Sequence, residues 1–93
     1  MKIDFDPIKS AKNTQQRNLS FERAADFDWD SAIFCEDTRN SYPERRFVAA
    51  GYLDERLHIV CFTPITGGVR IISLRKANIR EAKNYGKPLT LNG

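Results

Sequence analysis

Midway through residues 69–85 the chain changes its local pattern, and the change dictates what must surround it. Val69-Arg70-Ile71-Ile72-Ser73-Leu74-Arg75 is an apolar, β-favouring run, and Lys76-Ala77-Asn78-Ile79-Arg80-Glu81-Ala82-Lys83-Asn84-Tyr85 is a polar, helix-favouring one. A strand that feeds a helix needs a sheet to lie in and a face for the helix to cover. Cations straddle the change: Arg70 and Arg75 in the strand, Lys76 at its end, Arg80 and Lys83 in the helix. Side chains alternate along a strand, so Arg70 and Arg75, five apart, are expected on opposite faces. A basic cluster held by rigid elements suits a phosphate. The competing reading is a solvated strand end whose charges serve solubility.

Working back from this stretch, Thr66-Gly67-Gly68 reads as a hairpin turn, and Leu57–Thr63 as a nearly continuous apolar strand buried on both faces and stopped by Pro64. Arg46–Leu53, interrupted by Gly51, is another strand, joined to it through a tight Asp54-Glu55 connection. Glu36–Pro43 is a polar loop, and Ala32–Cys35 is a short strand after the Asp28–Ser31 turn. Near the start, Lys2–Phe5 is a short extended segment. Asp6-Pro7 has the form of a cap and first residue of a helix over Pro7–Gln16, with Ile8, Ala11 and Lys12 on one face. Asn18 tolerates the left-handed conformation that ends helices. Ser20 caps a second helix reaching to about Phe27, with Phe21, Ala24 and Ala25 on its apolar side and no glutamate to complete a capping box. The last helix spans Lys76–Tyr85 and ends at Gly86, leaving Lys87–Gly93 as a tail.

The expected fold is therefore α+β: two N-terminal helices, a four-stranded antiparallel sheet, and a C-terminal helix. Strands joined by short turns should be neighbours. The helices should cover one face and leave the other, or the end near Arg75, for function. Ninety-three residues make one domain, residues 1–93, with a core sufficient without staples.

The net charge of +3 hides an asymmetry. Residues 1–44 carry six Lys or Arg against nine Asp or Glu, while 45–93 carry nine against three, so the second half suits an anionic partner. No apolar run approaches a membrane span and Met1–Asp6 is no signal peptide, which predicts a cytoplasmic protein without a membrane partner. Cys35 and Cys61 lie in apolar surroundings and read as buried, reduced thiols; a disulfide stays open if adjacent strands bring them together. One histidine and two distant cysteines offer no metal-ligand spacing, and no cofactor is expected.

Phe5-Asp6, Lys9, Asn13, Ser20-Phe21 and Ala24, then Glu44, Arg46 and Gly51, then Arg70–Ala77 with Glu81 and Tyr85, form an ordered set over nearly the whole chain. The set resembles the BrnT family of bacterial type II toxin–antitoxin toxins, most specifically in its Arg-Ile-Ile-Ser-x-Arg-x-Ala segment. The resemblance implies a RelE-like ribonuclease fold, RNA as substrate, and neutralisation by a BrnA-like antitoxin. It also implies a toxin–antitoxin heterotetramer that reaches operator DNA only through the antitoxin. One departure stands out. The family usually has Lys-His-Gly before the second helix, and this chain has Gln16-Arg17-Asn18. His58, in the third strand, is not expected to take over the missing histidine's position.

RNA cleavage without a metal requires deprotonating a 2′-hydroxyl, stabilising a phosphorane and protonating the leaving 5′-oxygen. Guanidiniums suit the second task because they fork onto two phosphate oxygens and keep their charge. The candidate catalytic set is Arg46, Arg70 and Arg75 with Glu44, Glu81 and Tyr85. Arg17, Lys76 and Arg80 are candidate RNA contacts. Each has a plainer explanation. Glu81 alone is better read as a structural partner, of Arg75 among others; Tyr85 can close the helix end; Glu44-Arg45-Arg46 can be a salt bridge at a strand start. Trp29 reads as a cap on the core before a platform for a base, and His58 as a sheet residue before a catalyst. Two functions follow: a metal-independent endoribonuclease that stops translation and growth, or a catalytically weak module that binds antitoxin or RNA.

Overall fold

The computed structural model describes residues 1–91, so the final two residues of the expected tail lie outside the described residues. In chain order the elements are β1 (Lys2–Phe5), α1 (Pro7–Arg17), a 3₁₀ helix (Phe21–Asp26), β2 (Ile33–Glu36), β3 (Phe47–Leu53), β4 (Arg56–Ile65), β5 (Gly68–Lys76) and α2 (Ile79–Tyr85). One sheet runs in the order β1-β5-β4-β3-β2. The α+β class and the antiparallel meander from β2 to β5 match the expectation; the strand count does not. Lys2–Phe5 is a fifth strand, parallel to β5 in the register Lys2↔Gly68 to Phe5↔Ile71. Gly68 makes room for it: a Cβ there would lie 1.9 Å from the Lys2 carbonyl oxygen. The Gly67-Gly68 pair thus serves the turn and the docking of β1 together, and only the turn is visible in sequence.

Local chemistry explains most boundaries. The Asp6 side chain accepts from the Ile8 N–H at 2.9 Å, Pro7 opens α1, and Asn18 closes it at φ 55°. The second expected helix is instead a 3₁₀ helix, capped by Ser20 and ended at Phe27. The last helix begins at Ile79, three residues later than expected, because Asn78 and Glu81 form a reciprocal capping box, while β5 extends through Lys76. β4 also passes its expected stop and includes Pro64, since beyond Phe62 it pairs only with β5, a setting that tolerates proline.

Two apolar layers cover the sheet, one on each face. The first packs Phe21, Ala24 and Phe27 against Ala49, Leu53, Val60, Phe62, Val69, Ile71 and Leu74. Gly51 belongs to this face, where a Cβ would meet the Phe27 ring at 2.7 Å. Trp29 closes the layer: its Nε1 donates to the Ala24 carbonyl at 2.9 Å, and its ring packs on Phe27, Phe34 and Phe62. The second layer joins Ala82 and Tyr85 of α2 to Ala50, Tyr52, Leu57 and Ile59. The helices therefore divide between the faces and do not share one. In α1 the buried side chain is Ser10, not Ile8, which is 79 % exposed. The Ser10 hydroxyl accepts from the Phe21 N–H at 2.9 Å, so α1 is fastened through polar bonds.

One irregularity in β5 decides where its cations go. Cys61 pairs with Ser73 and the next residue, Phe62, pairs with Ile71, leaving Ile72 as an extra residue. This β-bulge resets the alternation. Val69, Ile71 and Leu74 all face the first layer, so Arg70 and Arg75 both face the other way. The expectation of opposite faces fails for this reason.

Candidate functional site

On the α2 face, a cavity of about 570 Å³ lies between α2, the loop before β3, and the middle of the sheet. Arg46, Arg75, Glu81 and Tyr85 line it together, with Val48, Cys61 and Ser73 as its floor. Four of the six candidate catalytic residues thus meet. Arg70 and Glu44 stand outside this lining: Arg70 Nε donates to Asp4 at 3.0 Å, and Glu44 approaches Arg70 at 3.8 Å.

Each residue reaches the cavity for a local reason. Arg46 precedes β3, and the Thr63 hydroxyl donates to the Arg45 carbonyl, fastening this loop end to β4. The Arg46 guanidinium lies over the Tyr42 ring at 4.0 Å, and its Nε is buried with no hydrogen-bond partner among the described residues. Arg75 leaves β5 one residue before its end and donates through both terminal nitrogens to Glu81, at 2.8 and 2.7 Å. Glu81 also accepts from the Asn78 N–H at 3.0 Å, so one carboxylate caps α2 and holds the cation. The structural role favoured for Glu81 is present.

The electrostatics follow. The Arg75 guanidinium beside Glu81 pulls its carboxyl down to about 2, against the opposing effect of burial. Burial pushes the Tyr85 phenol up, keeping it protonated, and also pushes up the Cys61 thiol. The other carboxylates lining the cavity are committed too: Asp37 binds Arg39 at 2.9 Å and Glu36 binds Arg45 at 2.9 Å. Cys35 is exposed rather than buried, and both thiols are free. Cys35 and Cys61 each face Val48, from the strands on either side of β3, so two strand spacings, about 9–10 Å, separate them. That distance excludes a disulfide. Among the described residues no group of three or more His, Cys, Asp or Glu side chains converges as a metal site.

A second hollow, of about 680 Å³, opens on the opposite face, at the sheet end formed by the β3–β4 turn and the close of β5. Arg17, Arg23, Arg56, His58 and Lys76 contribute to its lining, together with Asp54. Two of the three expected RNA contacts, Arg17 and Lys76, are here; Arg80 lines neither hollow. His58 and Arg17, forty-one positions apart in the chain, share one wall system, which sequence spacing gave no means to anticipate. An imidazole thus lines the same hollow as Arg17, the residue at the position of the missing histidine. Alternation along Leu57–Thr63 could have pointed to it, because His58 falls on the same face as Val60 and Phe62.

A profile for the family described as "Ribonuclease toxin, BrnT, of type II toxin-antitoxin system" matches residues 5–81. No curated protein matches the chain.

Proposed function

The chain belongs to the BrnT family, ribonuclease toxins of type II toxin–antitoxin systems, and on that premise we propose that it is a metal-independent endoribonuclease working in the α2-face cavity. The observation that carries this reading is the pairing of Arg46 and Arg75 in one lining, with a phenol and a carboxylate beside them. Two guanidiniums around one phosphodiester stabilise the dianionic phosphorane, the step where preorganised charge contributes most. The 2′-oxygen bonds to phosphorus as the P–O5′ bond breaks, giving a 2′,3′-cyclic phosphate and a 5′-hydroxyl.

The protons have assigned carriers. Tyr85, held protonated, gives one to the leaving 5′-oxygen. Glu81 accepts the 2′-hydroxyl proton. In the resting site it is a weak base, because Arg75 claims it. An incoming phosphate competes for the same guanidinium fork, and the carboxylate so released regains proton affinity. Arg46 makes no ion pair among the described residues and so needs no such exchange. Arg70, ion-paired with Asp4 and Glu44 outside the lining, takes no part in this step, nor does Glu44.

Family membership also brings an antitoxin partner. A BrnA-like protein lying across the cationic cavity blocks RNA and, by dimerising, builds a two-by-two assembly that reaches operator DNA. Cleavage of RNA in EDTA tests the chemistry: the wild type cuts, and Arg75→Ala is slower by about 100-fold or more. Equal rates, or an inert wild type, reject it.

One observation favours a second reading. The carboxylates lining the cavity are all bound to arginines, as in a module that binds without turnover. Growth arrest on expression, relieved by the antitoxin and lost with Arg75→Ala, decides for the enzyme; harmless expression of the wild type decides for the module.

A further inference from the structure

The hollow on the 3₁₀-helix face has no part in that chemistry, and its groups are arranged differently. Arg23 and Arg56 are spent internally. Arg23 forks onto Asp54 at 2.8 and 2.9 Å, and Arg56 donates to the carbonyls of Leu57 and Ala77 at 2.7 and 2.9 Å. Arg17 and Lys76 make no ion pair and no side-chain hydrogen bond among the described residues, although they line the same hollow from α1 and from the end of β5. Arg17 lies in the last turn of α1, where it also offsets the carbonyl end of the helix.

His58 lines the same hollow, directly across the β4–β5 ladder from Lys76, with one ring nitrogen hydrogen-bonded and the other unpartnered among the described residues. Its Nδ1 lies 2.7 Å from the Arg56 carbonyl oxygen, which can only accept, so Nδ1 carries the proton. In the neutral ring Nε2 is then an acceptor. His58 is only 4 % exposed, yet Nε2 has no partner among the described residues and is not among the polar atoms sealed from solvent. It opens on the hollow. Burial pushes the imidazole down from its ordinary value, which favours the neutral ring.

We propose that this hollow is a second RNA-binding site, in which Arg17 and Lys76 hold backbone phosphates and His58 Nε2 accepts a hydrogen bond from a ribose 2′-hydroxyl. A single-stranded RNA backbone presents an anion and a hydroxyl donor at every nucleotide, which answers two free cations and one free acceptor. The volume, about 680 Å³, is within the range of sites that hold a small ligand, roughly 300–1,000 Å³. The inference rests on RNA being the substrate and adds a grip remote from the cutting cavity.

Binding of a short fluorescent RNA, and of DNA of the same sequence, is measured by anisotropy across salt concentrations with Arg75→Ala protein. The measurement is repeated with Arg17→Ala and Lys76→Ala added. Cleavage by the wild type is scored separately. Two lost phosphate contacts lower the steepness of log affinity against log salt by about 1.4, at roughly 0.7 per single-strand phosphate. His58→Asn keeps a donor near the Arg56 carbonyl but deletes Nε2, and reduces the preference for RNA over DNA by about 2- to 10-fold. Should that variant not fold, the exposed Arg17 and Lys76 pair still decides. Unchanged affinity and salt slope in that pair, with a wild type that cleaves, overturn this site and leave the ribonuclease reading standing. A wild type that leaves RNA intact, with affinity and slope still lost in the pair, rejects the chemistry and supports this site. Weaker antitoxin binding with RNA binding unchanged assigns the hollow to protein and overturns the proposal.

Discussion

The two hollows lie on opposite faces of the sheet and are fed by neighbouring residues of β5: Arg75 on one side and Lys76 on the other. They hold charge in contrasting ways. In the α2-face cavity Arg75 is neutralised by Glu81 and Arg39 by Asp37, and the lining carboxylate Glu36 is held by Arg45 from outside, so a ligand must displace a carboxylate or use Arg46. In the other hollow the paired arginine, Arg23, is anchored by Asp26 and Asp54, and Arg17 and Lys76 have no ion-pair partner among the described residues. A neutralised site stores its cations in fixed geometry at the cost of an exchange on binding. A free site binds at once but depends on salt. The first arrangement suits chemistry, which needs fixed groups, and the second suits capture of a strand.

The contrast can be broken most sharply at Arg75. Arg75→Ala is expected to slow RNA cleavage by about 100- to 1,000-fold while lowering the salt slope of RNA binding by no more than about 0.7, one single-strand phosphate contact, as read by single-turnover cleavage and anisotropy. A change in binding as large as the change in rate would mean the cavities are not separate in function. Tyr85→Phe should cost about 100-fold in rate, the lower end for a general acid, and should abolish any alkaline loss of activity caused by phenol ionisation. A pH–rate profile with an unchanged alkaline limb removes Tyr85 from the acid's role.

Stability separates the faces by smaller amounts. Asn13 Nδ2 donates to the carbonyls of Leu19 and Leu74, at 2.8 and 2.9 Å, tying a wall of the second hollow to β5. Asn13→Ala should lower unfolding free energy by about 1–3 kcal/mol in urea titrations while cleavage per folded molecule stays near the wild type. A pH effect marks the first cavity. Glu81 has its folded pKa depressed, from 4.5 to about 2. Its contribution is therefore complete above about pH 4.5 and is lost as pH falls toward 2. Replacing it in Glu81→Gln should remove an acid-limb loss of about 1–2 kcal/mol, measured by chemical denaturation at pH 3 and pH 6. An identical acid limb in the variant would show that the ion pair contributes nothing measurable.

Much of this was legible from local chemistry. Asp6-Pro7, Asn18, Ser20 and Gly86 mark element ends through bonds or φ angles that involve only neighbours in sequence. The meander from β2 to β5 follows from short turns that permit little else. The misses share a different origin. The parallel docking of β1 depends on space above Gly68, and the common face of Arg70 and Arg75 depends on a bulge at Ile72, neither of which alters composition or period enough to be read. The α1 face was misjudged because Ser10 is buried through a bond to Phe21, a residue of another element.

The sequence by itself determined the class of fold, the strand-to-helix change at the end of β5, the supply of guanidiniums and, through its ordered residues, the family. Tertiary structure alone decided which cations are neutralised and which are free, and that His58 shares a wall with Arg17. The reason is physical. Propensity and capping act over a few residues, whereas the state of a charge depends on every group within a few ångströms, most of them distant along the chain.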